Sequence, residues 1–140
     1  MKVIGLDIGT RRIGVAASDD LGLTAHGRKT IQRTGFKSDI RRIEEMVFVE
    51  GAERIVVGLP KNMDGSLGPV ALEALRFAQT LKKRLGLPVD SWDERFSTMM
   101  AEKTLLMADV SRRKRKKVID KLSAVIILQG YLDRLRHGTN

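Results

Sequence analysis

The sequence predicts an α/β fold: a mixed five-stranded sheet, its first three strands antiparallel, flanked by helices. Three observations predict it. Short apolar, β-branched runs open the chain around a glycine-containing turn. Strand-like and helix-like runs then alternate, and each helix-like run carries apolar residues at three-to-four-residue spacing. The chain has 140 residues, 42% of them hydrophobic and spread throughout, enough for one domain with its own core. No repeat, low-complexity tract or interior linker divides it, so residues 1–140 are expected to form a single domain.

The elements follow in order. Lys2 to Ile8 is apolar up to Asp7-Ile8-Gly9-Thr10, and Arg11-Arg12 complete a polar turn. Ile13 to Ser18 resumes the run and stops at Asp19-Asp20, so the two runs read as a β-hairpin. A weaker third strand covers Leu23 to Thr30. Phe36, Ile40, Ile43 and Val47 mark an amphipathic helix, with Ser38 or Asp39 placed to satisfy its first amides. Arg54 to Leu59 is a strand ended by Pro60, and Pro60 to Pro69 is a loop. Pro69 suits the first turn of a helix with Val70, Ala74, Phe77, Ala78, Leu81 and Leu85 on one face and Gly86 as its stop. Val89 to Asp93 is a brief strand. Ser97 or Thr98 caps a helix to about Ala108, and after a basic linker Val118 to Leu135 forms the last helix.

Charge and composition narrow the function. Lysine and arginine number 26 against 17 acids, a formal net charge of +9 that attracts polyanions such as a phosphate backbone. Aromatics are few (Trp92, Tyr131 and four Phe), which argues against a base-stacking platform. The absence of cysteine excludes disulfides, thiolate metal sites and a cysteine nucleophile. No apolar run reaches the ~20 residues of a membrane span, and Asp7 comes too early for a signal peptide, so a cytoplasmic protein without a membrane partner is expected. His26 and His137 stand alone and form no ligand pair.

Three acids carry the candidate chemistry. Asp7 ends the first strand, Asp93-Glu94 ends the last, and Asp120 lies early in the final helix, one turn before Ser123-Ala124. Acids seldom occupy strand interiors unless paired or metal-bound. Converging carboxylates offer only oxygen and would suit Mg²⁺ or Mn²⁺, which can activate water at a phosphate. The same acids could instead be caps and salt-bridge partners, with Arg12 and Arg95 at hand.

Gly9 and Thr10 in the first turn could meet a phosphate through backbone amide and hydroxyl. Such a turn also opens certain two-domain ATPases, for which this chain is too short. In the loop Gly58 to Ser66, the residues Lys61, Asn62 and Ser66 are candidate phosphate contacts, against a plain turn built on Asp64-Gly65. Arg95 is a further candidate. The run Arg112-Arg113-Lys114-Arg115-Lys116-Lys117 is either a solvated charge run or a backbone-binding segment beside Asp120.

Taken together, these motifs resemble one family. Gly5-Leu6-Asp7-Ile8-Gly9 with Arg12-Ile13-Gly14-Val15-Ala16 and Ser18-Asp19 resembles the opening of the YqgF/RuvX family of pre-16S rRNA nucleases, also called Holliday-junction-resolvase-like proteins. Val57-Gly58-Leu59-Pro60 with Asn62-Met63-Asp64-Gly65-Ser66, then Asp93-Glu94-Arg95 with Ser97-Thr98, then Asp120 through Ile127-Leu128-Gln129 and Tyr131-Leu132, are similar to its later motifs in the same order. The resemblance implies an RNase H-like fold, a divalent-metal centre of Asp7, Glu94 and Asp120 (Asp93 standing in for Glu94 if strand register so decides), and maturation of the 5′ end of 16S rRNA in the bacterial cytoplasm. Ser123 departs from the small alanine usual there. Partners so implied are pre-rRNA, with branched DNA and ribosomal particles as alternatives, bound by a monomer or a homodimer. Three functions stand side by side at this point: an RNA-processing nuclease, a junction resolvase and a non-catalytic nucleic-acid-binding module.

Overall fold

The computed structural model describes residues 1–96 and 112–138, with the side chains of Phe96 and of residues 112–121 outside the described set. Strands β1 (Val3–Ile8) and β2 (Arg12–Ser18) form the expected hairpin, with Asp7 opposite Gly14 and Ile8 opposite Ile13. The Gly9 amide donates to the Arg12 carbonyl at 2.9 Å and closes the turn.

The strand expected over Leu23 to Thr30 is confined to three residues, and a further two-residue strand follows just past its expected end. Ala25–Gly27 (β3) and Ile31–Gln32 (β4) each pair antiparallel with β2, and the sheet therefore has six strands, five along its main path. The segment has no alternating apolar face to hold one continuous strand. Ile31, just past its expected end, is buried in the core and follows the point where the Arg28 amide donates to the Val15 carbonyl at 2.8 Å.

Helix α1 (Phe36–Glu50) buries Ile40, Ile43 and Val47 as their spacing predicts. Its capping differs from expectation. Gly35 is the N-cap, and neither side chain caps the helix: the buried Asp39 carboxylate turns back to accept the Thr34 amide and the Arg33 guanidinium, both at 3.0 Å, while the Ser38 hydroxyl donates to the Gly35 carbonyl. Strand β5 (Arg54–Leu59) lies parallel to β1, and β6 (Val89–Asp93) lies parallel to β5 at the sheet edge. Between them α2 (Pro69–Leu85) starts on Pro69 and stops at left-handed Gly86, burying Ala71, Ala74, Phe77, Ala78 and Leu81; Val70 faces outward.

A single 3₁₀ turn, Glu94–Phe96, follows β6. The helix expected from Ser97 or Thr98 to Ala108 lies outside the described residues. Helix α3 (Arg112–Arg136) begins six residues before the expected Val118, so the basic run is helical rather than a linker. Lysine and arginine are strong helix formers, and no glycine or proline interrupts the run.

Strand alternation divides the core into two layers. Ile4, Leu6, Ile13, Val15, Ile55 and Val57 meet α1 and α2 on one face; Val3, Ala16, Val56 and Trp92 meet Ala124, Ile127, Leu128 and Tyr131 of α3 on the other. Helix α3 lies directly on the strands at two glycines. A Cβ on Gly5 would stand 2.7 Å from the Leu128 Cβ, and one on Gly58 would collide with Ile127.

Candidate active edge of the sheet

The direction of α3 decides which residues share an edge. Tyr131 hydrogen-bonds to Arg54 at the start of β5, while Ile127 lies over Gly58 near its end, so the helix runs antiparallel to β5 and β1. Ala124 and Leu128 lie over Gly5. Two residues further along β1 is Asp7; one turn further toward the start of α3 is position 120. Both elements therefore bring these positions toward the C-terminal edge of the parallel strands. The side chain of Asp120 lies outside the described residues.

Asp7 shares its face of β1 with Val3 and Gly5, the face covered by α3, and is partly buried. The last register pair between β1 and β5 is Leu6 with Val57, so the residues that follow are Asp7 and Gly58. Glu94 comes back to the same place from the 3₁₀ turn, its carboxyl carbon 3.5 Å from where a Gly58 Cβ would sit. The space over Gly58 is taken by the Ile127 side chain of α3, with Glu94 beside it. Among the described residues no group of three metal-binding side chains converges.

Asp93 has a different task. It is opposite Leu59, whose side chain faces the α1 and α2 layer, so it points away from the face of Trp92. Arg95 donates from Nε at 3.1 Å to both of its carboxylate oxygens, from Nη2 at 2.7 Å and from its backbone amide at 3.0 Å. Lys61 lies 3.8 Å away on the other side. The Arg95 guanidinium holds the Asp93 carboxyl below the usual carboxylate range. Adjacent acids thus diverge: Asp93 anchors two cations, and Glu94 faces the edge.

The loop between β5 and α2 is self-tied. Asn62 Nδ2 donates to Ser66 Oγ at 3.0 Å, and the Ser66 amide and hydroxyl donate to Asp64 Oδ1 at 2.9 and 2.5 Å. Gly65 takes a left-handed φ of 86°, and Arg95 Nη1 reaches the Met63 carbonyl at 3.3 Å. The turn built on Asp64-Gly65 is therefore present, with Asn62 and Ser66 as its internal braces. On the other side of the edge, Gly9 and exposed Thr10 line a cleft of about 270 Å³ together with Arg33 and Glu73. Arg12 is half-buried at the start of β2. Arg112, Arg113 and Lys114 form the first turn of α3, which holds no acid.

Two polar groupings carry no motif in the sequence. Arg33 links Asp39 to the Gly9 carbonyl at 3.1 Å and so fixes the hairpin turn from beneath. The only sequence signal was an acid in the first turn of an otherwise apolar-faced helix. At the opposite end of the sheet, the Tyr131 hydroxyl donates to Asp90 and accepts from Arg54 at 3.0 Å; burial first, then Asp90, pushes the phenol up to about 12. Ser123 is fully buried, and its hydroxyl has no hydrogen-bond partner among the described residues.

The architecture defines the class before the family. The fold is RNase H-like and is shared along nearly the whole chain with nucleic-acid resolvases. Thermus thermophilus RuvC in complex with a Holliday junction substrate is similar with a TM-score of 0.64 at 16% identity, covering 99% of this chain and 98% of that one. The Fowlpox virus resolvase with substrate Holliday junction DNA is similar with a TM-score of 0.53 at 11% identity, covering 96% and 99%. Residues 1–134 match the RuvX family, described as Holliday junction resolvase, and the chain belongs to that family. Relatives named "Putative pre-16S rRNA nuclease" include one from Clostridioides difficile at 54% identity, covering 94% of each chain, and one from Moorella thermoacetica at 53%, covering 96% of each. No helix among the described residues is long and apolar enough to cross a membrane.

Proposed function

We propose that this chain is a divalent-metal-dependent nuclease that hydrolyses phosphodiester bonds in structured RNA, acting in the cytoplasm as one RNase H-like domain on the 5′ end of pre-16S rRNA during ribosome biogenesis. The observation that supports the reading is the edge itself: Asp7 follows the last register pair of β1 with β5, Glu94 lies beside Gly58, and α3 runs antiparallel to β1 with position 120 one turn before Ala124. The names of the 54% and 53% identical relatives support the substrate.

The donor set fits a hard cation. Asp7, Glu94 and Asp120 offer carboxylate oxygen only, with no nitrogen or sulfur donor among them, and would hold Mg²⁺ or Mn²⁺. Such an ion, when bound, supplies Lewis-acid charge at the phosphate and lowers the pKa of a water molecule. The chain's own residues do the rest. Asp93 fixes Arg95 and Lys61 beside Glu94, where their charge meets a phosphate backbone. Asn62 and Ser66 hold the loop that presents Lys61. Gly9, Thr10 and Arg12 border the other side of the same edge. In α3 the cations Arg112, Arg113 and Lys114 crowd the positive end of the helix, a placement that costs helix stability and that a bound phosphate relieves.

Asp7→Asn tests the reading. Metal-dependent cleavage of labelled precursor rRNA is expected to fall to background while the melting temperature stays level or rises, since a carboxylate leaves an acidic edge. Full activity in that variant contradicts it. The family's description favours a second reading, resolution of branched DNA, which requires two active sites and hence a homodimer. A four-way DNA junction run beside the rRNA, each with Mn²⁺ or with chelator, ranks the two, and absence of cleavage on either substrate would leave a non-catalytic binding module.

A further inference from the structure

On the face of the sheet opposite α3, α1 and α2 enclose between them a groove of about 940 Å³. Its walls carry Lys37, Arg41, Arg76 and Arg84 over a floor that includes Phe36 and Ile40, and no carboxylate lines it. Glu44 and Glu73 reach it only from the flanks, pairing with Arg84 at 2.9 Å and with Arg76 at 3.6 Å; Glu73 is shared with Arg33. Among the described residues no carboxylate pairs with Lys37 or Arg41. The groove keeps a surplus of positive charge.

Two details separate this surface from an ordinary solvated face. Lys37 sits in the first turn of α1, where the helix's own positive end disfavours a cation, so its charge works against the fold that carries it. The Arg76 guanidinium lies over the Phe36 ring, 3.7 Å from its centre, which orients the cation and covers the aromatic that lines the groove. A base finds no ring to stack on there; a phosphate finds oriented donors.

The groove also leads somewhere. Arg33 and Glu73 line the cleft beside Gly9 and Thr10, and Glu73 is the shared partner of Arg33 and Arg76. The cleft at the candidate active edge and the groove between the helices therefore adjoin.

We propose that the α1–α2 groove binds the phosphate backbone of the substrate nucleic acid on a segment flanking the cut. The inference rests on the reading of the chain as a nucleic-acid enzyme and adds a second contact surface on the far side of the sheet. An acidic protein segment would satisfy the charge alone, but continuity with the edge favours the substrate.

The test measures binding of the full chain, in chelator, to a long RNA stem and to a short stem that ends near the cut, over a salt titration. With Lys37→Ala/Arg41→Ala, the slope of log affinity against log salt on the long stem is expected to shrink by about 1.8, two contacts at ~0.9 each, and low-salt affinity to fall roughly tenfold. Binding of the short stem is expected to hold and the melting temperature to stay level or rise, and Arg41→Lys is expected to keep the slope. Unchanged slopes on the long stem overturn the proposal, as does a variant that loses polyglutamate binding while keeping RNA binding. Cleavage is scored separately: a groove effect without any cleavage supports this inference and removes only the nuclease reading.

Discussion

Asp93 and Glu94 are neighbours in sequence, yet their surroundings give them opposite work. The strand pleat sends Asp93 toward Lys61 and Arg95, and the 3₁₀ turn carries Glu94 to Gly58. Because the Arg95 guanidinium holds the Asp93 carboxyl below its ordinary range, the stabilisation it gives is present above the unfolded value of about 3.9 and is lost as pH falls through the lower, folded value. Asp93→Asn is therefore expected to lower the melting temperature at pH 7, with the gap to wild type closing in strongly acidic buffer, while metal binding survives. Parallel melting curves that keep the same gap at every pH would contradict this. Ser123 supplies a second residue-level case. Its fully buried hydroxyl lacks a partner among the described residues, so Ser123→Ala is expected to raise stability by about 1 kcal/mol, read by urea unfolding. Which of two adjacent acids faces the edge was beyond the sequence, since both satisfy the same motif and only the strand's end and register separate them. The braces Arg33–Asp39 and Arg54–Asp90–Tyr131 were equally hidden, because each joins residues from separate elements with no spacing rule between them.

At the scale of elements, sequence signals were strongest where a backbone constraint coincided with a periodic face. Helix α2 begins on Pro69 and ends at Gly86 as read, and α1 buries Ile40, Ile43 and Val47 on the predicted stripe. The signals failed where charge or weak patterning spoke alone. The basic run before Asp120 read as linker because it has no apolar face, although its residues favour helix, and α3 starts there. Of the strand expected from Leu23 to Thr30 only Ala25–Gly27 formed, for want of alternation, and a separate short strand follows at Ile31–Gln32. Helix α3 is the element on which the candidate edge depends, and its depth on the sheet is set by Gly5 and Gly58. Gly5→Ala would press a methyl group against Leu128, with an expected cost of about 1–3 kcal/mol. Chemical unfolding measures that cost, and activity should drop further than stability explains if the helix must lie at this depth to bring position 120 to the edge. A variant of full stability and full activity would show that α3 tolerates displacement.

Among the described residues the sheet has two unlike faces: paired helices α1 and α2 with their basic groove on one, and on the other the long helix α3, which reaches the edge of β1 and β5. The sequence made the α/β class and the family legible through four ordered motifs, and the +9 charge pointed to a polyanion. It could not supply convergence, since Asp7, Glu94 and Asp120 come from three elements far apart in the chain. The account turns on those three acids forming one site. Titration of Mn²⁺ into the protein, followed by calorimetry or by the electron-spin signal of free ion, addresses this without relying on any substrate. Asp7→Asn, Glu94→Gln and Asp120→Asn are each predicted to weaken Mn²⁺ binding sharply, with Asp93→Asn binding as wild type does. Wild-type affinity in any of the first three, or loss confined to Asp93→Asn, would contradict the account.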